Sequence, residues 1–180
     1  MVRRGESTLT ISIDELVETT VKDEKIRLLK ANIALSSWIR AVYESMIPRV
    51  FPTSLSINEA RTITEAGMFT ICNATDSVIE RYSTASPGYV AEIKIKLEFS
   101  SRILHYEIED NGIGIKPEVE DLLFKELIDS PKSGKGYFHG KMGIDLFKFR
   151  TIIEERGGEV YFRNKGLNHG AVFGYRLPMK

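Results

Sequence analysis

The stretch Ile108-Glu109-Asp110-Asn111-Gly112-Ile113-Gly114-Ile115 sets a carboxylate in front of two glycines spaced two apart. A buried aspartate at such a place accepts a hydrogen bond from the exocyclic amine of adenine. The 6-oxo group of guanine offers it no donor, so this one acceptor separates the two bases. The glycines let the backbone turn tightly and come close to a flat ring. Asn-Gly is also a common hairpin turn, and the segment alone serves that plain purpose as well.

Two further segments carry chemistry. Phe69, Asn73, Asp76 and Glu80 are spaced four, three and four, which places them on one face of a helix. An asparagine amide oxygen is a neutral ligand suited to a Mg²⁺ ion already held by phosphates, whereas an isolated Asn or Asp more often faces solvent. Between Asp129 and Gly143 lie Gly134, Gly136, Gly140 and Gly143 with Lys132, Lys135 and Lys141. Glycines expose backbone N–H groups, the helix starting near Gly143 offers a positive dipole end, and Lys135 and Lys141 add charge-assisted contacts to phosphates. An ordinary surface loop has the same composition.

The elements that must position these residues follow from periodicity. Residues ~14–46 are expected as helix, with Leu28, Ala31, Leu35, Trp38 and Val42 on one stripe and a break near Lys22–Lys25 as the alternative. Such a stripe needs cover from its own domain, from a second copy or from another protein. Pro48 and Pro52 end it, and a linker to Ser56 follows. Ser56 with Glu59 forms a capping-box pattern opening a helix to about Tyr82, whose buried stripe is Ile63, Ala66, Ile71, Ala74 and Val78. Tyr89, Ala91, Ile93, Ile95, Leu97 and Phe99 alternate with charged residues, and Leu104, Tyr106 and Ile108 do so again, predicting an antiparallel hairpin. A short helix at ~117–127, another at ~144–156 stopped by Gly157-Gly158, and strands at ~159–163 and ~171–177 complete the order. Residues 1–55 are therefore expected as a helical extension and 56–180 as one α+β domain, a two-layer α/β sandwich with helices on one face of the sheet.

Composition narrows the function classes. The 25 basic and 25 acidic residues cancel, which argues against a general nucleic-acid binder. The single cysteine, Cys72, excludes an intramolecular disulfide and a cysteine metal cage. No apolar run approaches the ~20 residues of a membrane span. The start, Met-Val-Arg-Arg-Gly-Glu-Ser, lacks the apolar core of a signal peptide, so a cytoplasmic protein is expected.

In order along the chain, Ile71-Cys-Asn73-Ala-Thr-Asp76 resembles the N box of the GHKL superfamily, and Asp110-Asn-Gly112-Ile-Gly114 resembles its G1 box. Gly140-Lys-Met-Gly143-Ile-Asp-Leu146 is similar to a degraded G2 box, and Gly170-Ala-Val-Phe-Gly-Tyr-Arg-Leu-Pro178 to the final strand. The spacing, with Phe124 before the lid and Gly157-Gly158 before the penultimate strand, is closest to the histidine-kinase branch. The resemblance implies a Bergerat-type fold, with a mixed sheet, that binds Mg·ATP under a mobile lid. Asn73 would bind the metal through the ATP phosphates, Asp110 the adenine, and Gly112, Gly114 and Ile115 would line the base. Lys135, Gly140, Lys141 and Gly143 would meet the phosphates, and Asp76 would hold a water near the base.

Four departures bear on catalysis. Phe69 stands where hydrolysing members carry a glutamate general base, and a phenyl ring transfers no proton. Glu65, one turn earlier, is the remaining carboxylate candidate. Asp145 replaces a glycine of the G2 pair, and Ala171-Val172 replaces a threonine near the adenine. The histidines are His105, His139 and His169, so none precedes the hairpin as a phosphoacceptor. The expectations are a histidine-kinase-like domain that transfers phosphate to a partner protein, a catalytically silent ATP-binding regulatory module, or a scaffold that has lost the nucleotide.

Overall fold

The computed structural model describes residues 8–9, 39–41, 55–125 and 142–179. Three strands come from the first part of the chain: β1 (Thr8–Leu9), β2 (Ile39–Ala41) and β3 (Leu55–Ser56). Helix α1 spans Ile57–Thr84 and opens on the expected capping box. The Ser56 hydroxyl accepts from Glu59 N–H at 3.2 Å, and the Glu59 carboxylate accepts from Ser56 N–H at 2.8 Å. Two otherwise orphaned donors are satisfied, which stabilises the helix start by about 1 kcal/mol.

Strands β4 (Ile93–Ser100) and β5 (Ile103–Asp110) form the hairpin. Its two-residue loop has Ser101 at φ 51° and Arg102 at φ 62°, the left-handed pair of a type I′ turn, made without glycine. A one-turn helix α2 (Pro117–Glu120) follows, then helix α3 (Met142–Glu154) and strands β6 (Glu159–Asn164) and β7 (Ala171–Pro178). The sheet order is β2-β4-β5-β7-β6, with β2 parallel to β4 and every other pair antiparallel. The sheet is therefore mixed, as expected. β1 pairs separately with β3.

One face of the sheet carries the core. Ile93, Ile95, Leu97, Leu104, Tyr106, Ile108, Phe173, Tyr175 and Leu177 are buried with Ile63, Ala66, Ile71, Ala74 and Val78 of α1 and Leu146, Phe149 and Ile153 of α3. Burying each large apolar side chain contributes roughly 1.5–3 kcal/mol, so this layer holds the two helices to the sheet. On the other face Tyr161 lies across Gly174, and its hydroxyl donates to Glu107 at 3.2 Å.

Two expected helices differ in the structure at the described residues. The span ~14–46 is interrupted, because Ile39–Ala41 is a strand in register with Ile93–Ile95. Pairing with the edge of β4 outweighs the helical spacing there, as tertiary context commonly overrides propensity. The rest of that span, Trp38 included, lies outside the described residues. The expected helix at ~117–127 stops at Glu120 and continues as turns to Lys125, with Leu123 N–H bonded to Glu120 C=O and Lys125 N–H to Leu122 C=O. Phe124, at φ 65°, cannot continue a right-handed helix. It is buried against Phe149, Phe162 and Phe173, with ring centroids 5.8–6.1 Å away, and this aromatic packing holds the unusual backbone. Helix α3 ends on Gly157 at φ 75°, with Gly158 N–H returning to Ile153 C=O at 3.0 Å, a Schellman close.

Candidate functional site

Asp110 is the last residue of β5, and only 3% of it is exposed. The burial has a local cause: β5 runs between β4 and β7, and α1 crosses its end. One carboxylate oxygen, Oδ1, accepts from the Ser77 hydroxyl at 2.9 Å and from Gly112 N–H at 2.8 Å. The Ala171 N–H, at the start of β7, is a third donor to the carboxyl group. Burial pushes the Asp110 carboxyl above the usual carboxylate range. The Gly112, Ser77 and Ala171 donors and the Lys165 ammonium oppose that rise.

A small cleft opens beside this carboxylate. It is lined by Asn73 and Ser77 from α1, Asp110, Ile113, Gly114 and Ile115 from the turn, Leu123, Leu146, and Ala171 and Phe173 from β7. Asn73, Ser77 and Asp110 supply its polar side chains, and the rest of the lining is apolar or glycine. The Asn73 amide nitrogen is buried and has no hydrogen-bond partner among the described residues. An unpaired buried amide costs about 1–3 kcal/mol, which a polar ligand in the cleft would recover. The site therefore offers a carboxylate acceptor, an unsatisfied amide and an apolar wall in one cleft, which suits a flat base carrying an exocyclic amine.

The turn is held from both sides. On the helix side, Ile113 N–H bonds to Ser77 C=O at 3.2 Å, and a Cβ on Gly112 would overlap Ser77, backbone included. On the other side lies the loop between β6 and β7. Asn168 N–H bonds to Ile113 C=O at 2.7 Å, a Cβ on Gly114 would overlap the Gly166 carbonyl, and one on Gly170 the Asp110 carbonyl. Gly114 sits at φ 74° and Gly170 at φ 83°, conformations that glycine alone adopts without cost. The glycines are thus accounted for by protein neighbours.

Asn111 is also anchored. Its amide donates to Val90 C=O at 2.8 Å and accepts from Glu92 N–H and the Tyr89 hydroxyl, each at 2.8 Å. Arg81 donates to the Asn111 carbonyl and stacks over the Tyr89 ring at 4.4 Å. Burial pushes the Tyr89 phenol up to about 12. Lys165 bridges Glu109, at 2.7 Å, and the Asp110 carbonyl, and that contact holds the Glu109 carboxyl below its usual range.

The structure thus brings together Asn73, Asp110, Gly114 and Ile115, with Gly112 one bond away in the same turn. Asp76 lies on the same helix, close enough to Glu80 to raise its carboxyl, although burial is the larger cause. Glu65 stands apart: it is half-exposed, and its carboxylate accepts from Arg61 at 2.7 Å. Phe69 packs against the core. Gly143 falls in the first turn of α3, whereas Lys135, Gly140 and Lys141 lie outside the described residues. Ser77 and Asn164 were not anticipated. Ser77 is one helical turn beyond Asn73, so the spacing that grouped the polar face carried its signal. Asn164 had none, because its partners Ile115 and Glu120 lie far from it along the chain.

The family of histidine kinase-, DNA gyrase B- and HSP90-like ATPases matches residues 68–180. The sensor protein TdiS of Thauera aromatica is 27% identical over 108 residues, covering 59% of this chain. The sensor histidine kinase GlnK of Bacillus subtilis (strain 168) is 31% identical over 78 residues, covering 43% of it. In each case the match spans 18% of the relative's length. Among solved structures, the catalytic domain of histidine kinase ThkA superposes with a TM-score of 0.59 at 18% identity, covering 96% of this chain and 95% of that one. Histidine kinase AdeS of Acinetobacter baumannii does so at 0.60 and 21% identity, covering 97% and 68%. These likenesses confirm the α+β sandwich. With its carboxylate-and-glycine turn, its helix asparagine and its sheet order, the chain belongs to the histidine kinase-, DNA gyrase B- and HSP90-like ATPase family.

Proposed function

We propose that this domain binds Mg·ATP, with the adenine amine on Asp110 and the base against Ile113, Ile115 and Phe173. The observation that carries this is the buried, donor-bound carboxylate of Asp110 in one cleft with the unpartnered amide of Asn73. The Asp110 acceptor suits the base amine, the unpaired Asn73 Nδ2 is a donor suited to a ligand oxygen, and the Asn73 amide oxygen is the candidate ligand for the metal held by the phosphates. Among the described residues no group of three or more His, Cys, Asp or Glu side chains is placed to hold a metal ion, so the phosphates would supply most of its ligands. Lys135, Gly140, Lys141 and Gly143 in the glycine-rich segment are the candidate phosphate contacts, with that segment as a lid over the nucleotide.

Transfer of the γ-phosphoryl group to a partner protein in signalling is the activity that fits the histidine-kinase branch. There the acceptor itself attacks, and no general base for water is needed. A catalytically silent ATP-binding regulatory module is the second reading, and Phe69 favours it over an ATPase. Its ring is packed against the core where a water-activating carboxylate would be required. Residues 1–55, outside the family match, are the proposed surface for docking or for pairing with a second copy. Among the described residues no helix is long and apolar enough to cross a membrane, and a cytoplasmic setting remains the expectation.

Calorimetric titration with ATP and GTP in the presence of Mg²⁺ tests the site. ATP binding that Asp110→Asn weakens at least tenfold supports it. Absence of binding, or an unchanged affinity in the variant, overturns it. Incubation with γ-labelled ATP and a candidate partner separates transfer from silent binding.

A further inference from the structure

Ser77 occupies the centre of the site without facing it alone. It lies on α1 one turn after Asn73, and both line the cleft. Its hydroxyl donates to Asp110 Oδ1 at 2.9 Å, and its carbonyl accepts Ile113 N–H at 3.2 Å. The same Oδ1 also receives Gly112 N–H at 2.8 Å. One carboxylate oxygen therefore holds two donors from opposite sides, from the helix and from the turn.

A carboxylate at the end of a χ2 torsion rotates broadly unless its oxygens are held. With Oδ1 tied to both Ser77 and Gly112, the carboxylate plane is fixed and Oδ2 takes up the remaining acceptor direction. We infer that Ser77 is the positioning residue of this nucleotide site: its hydroxyl orients Asp110 so that the other carboxylate oxygen is presented to the exocyclic amine of an adenine base. The inference rests on the proposed nucleotide reading and assigns within it the residue that orients the base-selecting carboxylate. Ser77 acts through Asp110. The Ser77 contribution should therefore appear in how binding depends on the ionisation of Asp110.

The physical link is direct. Burial raises the Asp110 carboxyl, and the Ser77 hydroxyl is one of the donors that lowers it again. The other groups acting on Asp110 are the Gly112 and Ala171 amides and the Lys165 ammonium, and its charge is in turn felt by the Tyr89 phenol. Tyr89 is neutral across the working range, since its phenol is pushed up to about 12. Removing the Ser77 hydroxyl leaves the other groups in place and raises Asp110 further.

The test is calorimetric titration of the full chain with Mg·ATP and Mg·GTP from pH 5.5 to 8.5, using wild type, Ser77→Ala and Ser77→Thr. Ser77→Ala is expected to bind ATP roughly tenfold more weakly at neutral pH, the size of one hydrogen bond to a charged acceptor. Its ATP affinity should also begin to fall at a higher pH than that of wild type, and its preference for ATP over GTP should shrink. Ser77→Thr, which keeps the hydroxyl, should restore both. Equal affinity in Ser77→Ala at every pH would overturn the inference. So would a loss of the same factor at all pH values that Ser77→Thr does not repair, because that marks a structural role. If Ser77→Ala does not fold by thermal melting, Ser77→Cys keeps the volume with a weaker donor and carries the same two tests. Wild type that takes up no ATP defeats the nucleotide reading itself, a result separate from failure of the Ser77 assignment.

Discussion

Asn164, the last residue of β6, holds Ile115 by both backbone groups: its Oδ1 accepts Ile115 N–H at 3.3 Å and its Nδ2 donates to Ile115 C=O at 2.9 Å. The same side chain accepts Gly166 N–H at 3.0 Å and donates to Glu120 at 3.2 Å. One amide thus ties the far end of the glycine turn to the β6–β7 loop and to α2. Asn164→Ala leaves several of these groups unpaired and is expected to cost about 2–3 kcal/mol in chemical denaturation. Asn164→Asp keeps the acceptor, loses the donor and sets a carboxylate beside Glu120, so Glu120→Gln should recover part of its deficit. No recovery in the double variant would show that Glu120 does not share the clamp.

Gly112→Ala is expected to abolish ATP binding and to lower Tm. A Cβ there would overlap the Ser77 hydroxyl and also the Ser77 backbone carbonyl. The hydroxyl can move, but the backbone inside a 28-residue helix cannot follow cheaply. Ser77→Gly therefore should not rescue Gly112→Ala in a melting experiment. Rescue would mean that α1 can slide away from the turn.

Asp110→Asn should raise stability while destroying affinity. Because burial raises the folded value of Asp110, the neutral form is favoured in the native protein. Its contribution is full below the unfolded value and is lost as pH rises through the folded one. The neutral amide avoids that loss, so the variant's Tm should exceed that of wild type at pH 7, and the gap should close towards pH 4. At this chain length each kcal/mol corresponds to about 2–4 °C. A variant less stable than wild type at pH 7 would show that the Ser77, Gly112 and Ala171 donors outweigh burial.

Tyr175 is fully buried, stacked on Tyr106 at 4.9 Å, and its hydroxyl has no hydrogen-bond partner among the described residues. The Tyr106 hydroxyl, in contrast, meets Thr70 at 3.0 Å. Tyr175→Phe removes the orphaned group with little change in shape and is expected to stabilise by about 1 kcal/mol. An unchanged or lowered Tm would place a water against that hydroxyl.

Much of the site-bearing half was legible because it is built on local rules. The Ser56–Glu59 capping box, the alternation from Ile93 to Ile108 and the Gly157-Gly158 stop each need only a few neighbouring residues. The core stripe Ile63, Ala66, Ile71, Ala74 and Val78 follows from helical spacing and is buried throughout. What escaped depends on contacts distant along the chain. Ile39–Ala41 became a strand because the edge of β4 was there to pair with. Phe124 ended a helix early because Phe149, Phe162 and Phe173 surround it. Within the site, Asp110 and Asn73 announced themselves by type and order, whereas Asn164 acquires meaning only once β6 is laid beside β7.

The three glycines around the turn have a consequence for how such sequences change over time. Gly112 makes room for Ser77, Gly114 for the Gly166 carbonyl and Gly170 for the Asp110 carbonyl. Each is demanded by the folded chain whether or not a nucleotide is ever bound. On the proposed reading, a descendant that ceased to bind ATP would still be selected to keep them, while Asp110 and Asn73, which bear a burial cost, would be free to drift. In this fold the glycines are a record of architecture, and on that reading the buried carboxylate with its unpaired amide neighbour is the record of use.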